Sequence, residues 1–282
     1  MTSGYVCVTF DFDALSSWMA RGQLTATPRS RGEFAAVAVP RLLHTLAVRG
    51  ITATWFVPGH TALTYPELTR EIIAQGHEVA VHGHAHENVA ALPPAEERAV
   101  LRRSLEALTD VTGLTPRGFR APAWDLSDAS VGLLAEHGLL YDSSLMGHDH
   151  APYLCRTPDA VDEDGVRWGD PTELVEIPVA WSLDDFPYLE FLRTPSGLMP
   201  GLRDPAEMFT HWTRDLDYML RDIDRGVLTA TMHPEVIGRG HRLLALEEWL
   251  DGLADRDVTF ATCEDIAALT RSGARLGEYR PA

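Results

Sequence analysis

Apolar runs of strand character alternate along the chain with segments of helical period. Val6-Cys7-Val8-Thr9-Phe10 is β-branched and aromatic and predicts a first strand running into Asp11-Phe12-Asp13. Ser16 to Gly32 is polar, with Pro28 and several arginines, and is expected to loop over that strand's carboxyl end. Phe34 to Val48 carries Val37, Leu42, Leu43 and Leu46 at helical spacing and stops at Arg49-Gly50. Thr52 to Val57 predicts a strand, Tyr65 to Gln75 a helix entered through Pro66, and Gly76 to Val81 a strand whose end alternates. Pro94 to Thr112 predicts a long amphipathic helix with Glu96, Glu97, Arg102 and Arg103 toward solvent.

The alternation continues. Strands are expected around Gly118 to Ala121, Leu140 to Asp142, Leu174 to Trp181, Val227 to Met232 and Val258 to Ala261. Helices are expected over Asp128 to His137, Pro205 to Asp224, Arg242 to Leu253 and Cys263 to Arg271. His148 to Thr172 and Asp184 to Pro200 lack a clear period and read as irregular excursions near a functional site. Strands separated by helices imply parallel pairing through right-handed crossovers, and seven or eight such units favour a barrel over an open sheet. The expected fold is therefore α/β, a distorted TIM-like (β/α)7-8 barrel. No linker, repeat or low-complexity tract divides it, so one domain over residues 1–282 is expected.

Composition narrows the function classes. Of 282 residues, 45% are apolar, ample for a sizeable core. The net charge of -17 argues against nucleic acid or an anionic membrane as partner. All 24 basic residues are arginine, which excludes Schiff-base chemistry and a phosphate-loop lysine. Cys7, Cys155 and Cys263 are widely spaced in or beside apolar segments and read as reduced, packed thiols. With Met1-Thr2-Ser3-Gly4 entering the first strand at once and no membrane-spanning run, a soluble cytoplasmic protein is the expectation.

The candidate chemistry lies at strand ends. His82-Gly-His84-Ala-His86-Glu87-Asn88 follows the strand ending at Val81, a dense set of imidazoles suited to a transition metal that usually takes a carboxylate as well. Asp11 and Asp13, spaced i and i+2, share one face and can point to one place. Taken alone, either piece is also compatible with a solvated His cluster or an N-cap pair. Arg120, Asp142 and His233 fall at the ends of other strands.

Thr9-Phe10-Asp11-Phe12-Asp13, His82 with His86, Arg120-Ala121-Pro122-Ala123-Trp124, Tyr141-Asp142-Ser143-Ser144 and Met232-His233 together resemble, in order, the five motifs of the polysaccharide deacetylase (NodB-homology, carbohydrate esterase family 4) superfamily. The resemblance implies Asp11 as catalytic base, Asp13, His82 and His86 as metal ligands, Arg120 as the residue positioning the base, and His233 as general acid. Asp142 is a candidate partner orienting His233. Trp124 would wall the groove, and Tyr141, Trp181 and Asp185 are further expected substrate contacts, with Asp184, Tyr188, Arg239 and His241 as weaker candidates. His84 has no role in the implied metal shell and is expected to be a substrate contact or an exposed bystander. Phe12-Asp13-Ala14, Thr231 and the Pro234 that follows His233 depart from secreted members. They resemble a cytoplasmic branch with peptidoglycan deacetylase-like proteins, cyclic imide hydrolases and allantoinases.

The implied activity is metal-dependent hydrolysis of a non-peptide C–N bond. A divalent ion, most simply Zn with Co, Ni, Fe or Mn as alternatives, would serve an N-acetylated sugar or glycan. Ring opening of a cyclic imide or ureide is the alternative, and a catalytically silent binding barrel the alternative of another class. A saccharide or small molecule is the expected partner, and the resemblance also implies a homo-oligomer.

Overall fold

The computed structural model describes residues 3–194, 197–199 and 201–280. Met1 and Thr2 of the expected strand entry, Pro195, Ser196 and Pro200 of the second excursion, and the last two residues of the expected domain lie outside the described residues.

Strand Gly4–Asp11 is buried along its whole length and organises the sheet. On one side it pairs in parallel with Gly226–Met232. On the other it pairs first with Val258–Phe260 and then, from Thr9 onward, with Thr54–Val57. Glu78–Val81, Gly118–Phe119, Tyr141–Asp142 and Pro171–Glu176 follow in parallel order, and Tyr153–Arg156 closes the row antiparallel. The sheet curls into a distorted, incompletely paired barrel. At the Gly226–Met232 edge, Asp184, which follows the Pro171–Glu176 strand in the chain, makes an isolated parallel bridge with Thr231.

Strand parity decides what each face carries. Val6, Val8 and Phe10 face the main core, where Phe10 stacks on Trp55 with centroids 4.4 Å apart. Tyr5, Cys7, Phe56, Ala80, Tyr141, Val175 and Val227 form a second apolar cluster on the concave side, joined by Cys263 and Ile266 of helix Cys263–Arg271. Followed onward in steps of two residues, those same concave rows reach Asp11, His82 and His233, so the apolar plug gives way to polar groups at the carboxyl rim. The three cysteines are free and buried.

Several expectations change. Ser16 to Gly32 is not a loop but two helices, Ser16–Ala20 and Ala26–Glu33. The second has no apolar face for a periodicity to report. It is held instead by Arg31, paired with Glu190 at 2.6 Å and lying over Trp18, and by Gly32 packed on the Ala14 carbonyl. The first excursion contains Tyr153–Arg156 and the exposed hairpin Ala160–Asp162 with Gly165–Arg167, whose two faces are both solvated and so leave no alternation. The strand expected over Leu174 to Trp181 spans Pro171–Glu176. The second excursion contains helix Asp185–Leu189, capped by the Asp184 carboxylate on the Phe186 N–H, and a backbone hairpin, Leu192–Thr194 with Gly197–Met199. Among the described residues no helix is long and apolar enough to cross a membrane.

Candidate active site

Asp11 ends the first strand on its concave face, and the chain then turns through Ala14 at φ 51°. The Asp13 carbonyl accepts from Ser16 N–H, Ser16 Oγ and Thr61 Oγ, which pins the residue. Across the rim, Gly83 at φ 66° and His86 at φ 59° fold the histidine loop into a turn closed by Glu87, whose Oε2 accepts from the His84 and Ala85 N–H groups. A left-handed non-glycine residue costs backbone energy, and here it turns the His86 ring back toward His82, with centroids 5.2 Å apart.

These turns bring Asp13, His82 and His86 together. Asp13 Oδ1 is 3.3 Å from His82 Nε2, and Oδ2 is 3.2 Å from His86 Nε2. Burial acts to raise the Asp13 carboxyl, but His86 and His82 hold it well below the usual range. Burial likewise opposes protonation of His82, while Asp11 and Asp13 draw its proton affinity up. The His82 Nδ1–H is positioned to donate to the Arg120 carbonyl, 2.8 Å away, which leaves the Nε2 lone pair aimed at Asp13. Asp13 Oδ1 is buried without any hydrogen-bond donor. Converging lone pairs with an orphaned carboxylate oxygen are the environment a divalent cation satisfies, so these three residues fit a metal.

Arg120 is fully buried beneath Asp11. Its Nη1 donates to Asp11 Oδ1 at 2.7 Å and to Thr9 Oγ1 at 2.9 Å, while Nε and Nη2 donate to the Ser143 carbonyl and hydroxyl. All three nitrogens thus have partners, and the guanidinium orients Asp11 toward the cleft. Asp11 Oδ2 is 3.8 Å from His82 Nε2.

His233 lies on the opposite flank. Its Nδ1 is 2.8 Å from Asp185 Oδ1 and 3.6 Å from Asp184, and Asp185 also accepts its backbone N–H. Burial disfavours the imidazolium, but Asp184 and Asp185 carry its proton affinity well above the usual value. Asp184 itself is pushed by burial up to about 7. With Nδ1 occupied, Nε2 is left as the donor toward the cleft.

Asp142 does not orient His233. It has the opposite strand parity, pointing to the convex side, where Ser144 Oγ donates to it and Glu176 lies against it. Asp185 is not a substrate contact, because it is fully buried behind His233. Tyr141 is concave but one layer too deep: its ring lies over Gly118 and its hydroxyl donates to Glu78. His84 is neither exposed nor in the cleft. Its ring packs on Gly59, where a Cβ would come within 2.5 Å of Nδ1. Tyr188 stands beside His211 and Arg239 covers Phe34, both away from the cleft.

Trp124 and Trp181 stack with centroids 4.3 Å apart and wall a cleft of about 380 Å³. Asp11, Asp13, His82, His86, Asp184, Phe186 and His233 complete the lining together with Arg21. Ala123 and Trp124 both adopt positive φ, 55° and 52°, so the wall is built on a strained turn. Arg21 and Phe186 were not foreseen, because nothing in their local pattern marks them.

A profile described as polysaccharide deacetylase matches residues 5–141. A peptidoglycan deacetylase of Helicobacter pylori is 36% identical over 273 residues, spanning 91% of this chain and 92% of the relative. The chain belongs to the polysaccharide deacetylase family. This family of hydrolases has the same barrel: a Mycobacterium smegmatis crystal structure assigned to it has TM-score 0.84 and 35% identity, and covers 100% of this chain and 94% of that one. An allantoinase structure shares the fold, with TM-score 0.80 at 19% identity, over 97% of this chain and 93% of that one.

Proposed function

We propose that the protein is a metal-dependent deacetylase that hydrolyses the acetamido C–N bond of an N-acetylated sugar or glycan. The observation that carries this reading is the convergence of Asp13, His82 and His86 around an orphaned carboxylate oxygen, between Asp11 on one flank and His233 on the other. The full-length similarity to a peptidoglycan deacetylase supports the substrate class.

Asp13, His82 and His86 would hold the divalent ion, most simply Zn. When bound, it supplies polarisation of the acyl oxygen and acidification of water. Asp11, kept oriented by Arg120, accepts a proton from the attacking water as the water oxygen bonds to the acyl carbon. The C–N bond then breaks while His233 Nε2 delivers its proton to the departing nitrogen, and Asp185 stabilises the imidazolium until that transfer. Acetate and the free amine leave, Asp11 releases its proton to solvent and His233 takes one up, so both groups return to their starting states.

The test is a set of three variants with two readouts. Asp13→Ala and His82→Ala are expected to lose bound metal and acetate release together, while Asp11→Asn keeps metal by elemental analysis and loses turnover by roughly 10²- to 10⁴-fold. Full turnover by a metal-free wild type overturns the reading.

A second reading, ring opening of a cyclic imide or ureide, is favoured by the small volume of the cleft, about 380 Å³, behind Phe186 and Pro187. A parallel screen of N-acetylglucosamine oligomers and hydantoins separates the two. The three buried thiols support a reducing, cytoplasmic setting.

A further inference from the structure

Two guanidiniums share the Trp18 ring, and their charges are used differently. Arg31 lies 4.4 Å from the ring centroid and is neutralised by Glu190 at 2.6 Å. Arg21 lies 5.5 Å from the same centroid, but among the described residues no carboxylate reaches ion-pairing distance of it. Its one hydrogen bond, Nη1 to the Ser17 carbonyl at 3.2 Å, closes the end of helix Ser16–Ala20 and aims the rest of the fork outward.

Arg21 is one of the residues that line the catalytic cleft. Its guanidinium also sits 5.4 Å from the centre of the Phe186 ring, and Phe186 in turn meets His233 edge-on at 5.3 Å. The side chain is therefore held between two aromatic rings, one ring away from the proposed general acid. Arg120, the other guanidinium of the site, has its nitrogens occupied and no surface exposed. The carboxylate charges that reach Arg21 without pairing to it are those of Asp13 and Glu235, and burial and Asp13 raise the proton affinity of Glu235. Arg21 thus offers a guanidinium with an uncommitted edge to a cleft otherwise lined by carboxylates, imidazoles and aromatic rings, in a chain of net charge -17 that repels anions in bulk.

We infer that Arg21 is a specificity-determining residue that binds a carboxylate carried by the amine-bearing half of the substrate. The inference rests on the deacetylase reading, which places the departing nitrogen at His233. A planar carboxylate matches the unoccupied edge of the fork, while a dianion would meet Asp13 nearby.

The experiment uses the metal-loaded full chain with two matched probes, N-acetylglucosamine and its C6-oxidised uronate. Wild type is expected to favour the uronate in kcat/KM by roughly 10- to 100-fold, through KM, with a preference that shrinks as salt is added. In Arg21→Gln the charged-to-neutral ratio should fall toward one and lose its salt dependence, and Arg21→Lys should restore part of it. Equal use of both probes by wild type, or an unchanged ratio in Arg21→Gln with normal metal content and circular dichroism, overturns the inference. Turnover of neither probe by wild type defeats the deacetylase reading instead. Calorimetric titration with the same two sugars then decides: tighter uronate binding that Arg21→Gln abolishes supports the inference, and equal affinities or no binding of either overturn it.

Discussion

On the concave face of the sheet's carboxyl rim, Asp11 and Asp13 are buried beside Arg120, His82 and His86. On the convex face, one strand position away, Asp142 and Glu176 are buried against each other. The first pair is surrounded by cationic or cation-seeking groups, and Asp13 is held well below its usual value despite burial. The second pair makes no ion pair among the described residues, and the charge of Arg120 reaches Asp142 only from a distance. Burial pushes Asp142 up to about 6, and burial together with Asp142 raises Glu176 well above its ordinary value. Depth in the protein is the same for both. What differs is the count of positive partners, and that difference separates a metal-and-base site from a structural carboxyl pair.

The two clusters give opposite pH dependences of stability. Asp13 is depressed in the folded state, so its contribution is present above the unfolded value near pH 4 and is lost as pH falls further. The Asp142 and Glu176 protons are retained by the folded chain and released by the unfolded one. Their contribution is full below about pH 4 and declines as pH rises through about 6.

The most damaging way to disturb the comparison is Arg120→Met, which leaves the Asp11 charge buried without its partner. Urea unfolding at neutral pH should show a loss of about 3–5 kcal/mol, with turnover abolished. Next in size, Asp185→Asn keeps the shape around His233 but removes its counter-charge. Acetate release should fall by roughly 10²- to 10⁴-fold, and the upper limb of the pH–rate profile should move to lower pH; an unmoved limb removes Asp185 from the acid's support. Smaller is Glu176→Gln, which replaces the titrating carboxyl beside Asp142 by a neutral amide. Stability of the wild type should decline by about 2 kcal/mol between pH 4 and pH 7, and the variant's decline should be clearly shallower. Smallest is Cys155→Ser, a stronger donor in place of the thiol 3.6 Å from Glu176. It should reduce the same decline by less than about 1 kcal/mol in paired pH titrations.

Much of this arrangement could be read from local pattern. The repeated succession of strand and helix segments, the β-branched and aromatic run Val6 to Phe10, and the spacing of Asp11 with Asp13 and of His82 with His86 are sufficient to expect a barrel with its polar groups at the strand ends. Elements without a buried face escaped: helix Ala26–Glu33, held by the Arg31–Glu190 ion pair, and the hairpin at Ala160–Asp162, joined by backbone pairing, give no hydrophobic period to read. Asp142, in the motif-like stretch Tyr141 to Ser144, is the expected partner of His233, yet its strand parity points it to the other face.

Residue identity and period settled which side chains stand on the concave wall and at which rim, since the two-residue repeat of a strand leaves no other choice. Pairings across the rim were settled by folding alone. His233 acquires Asp185, 48 positions away, because the chain after Pro171–Glu176 returns to bridge Thr231 at Asp184. Arg21 reaches the cleft because a short helix and two aromatic rings hold it there. Such contacts depend on how the ends of a curled sheet approach each other in space, a distance that no local repeat encodes.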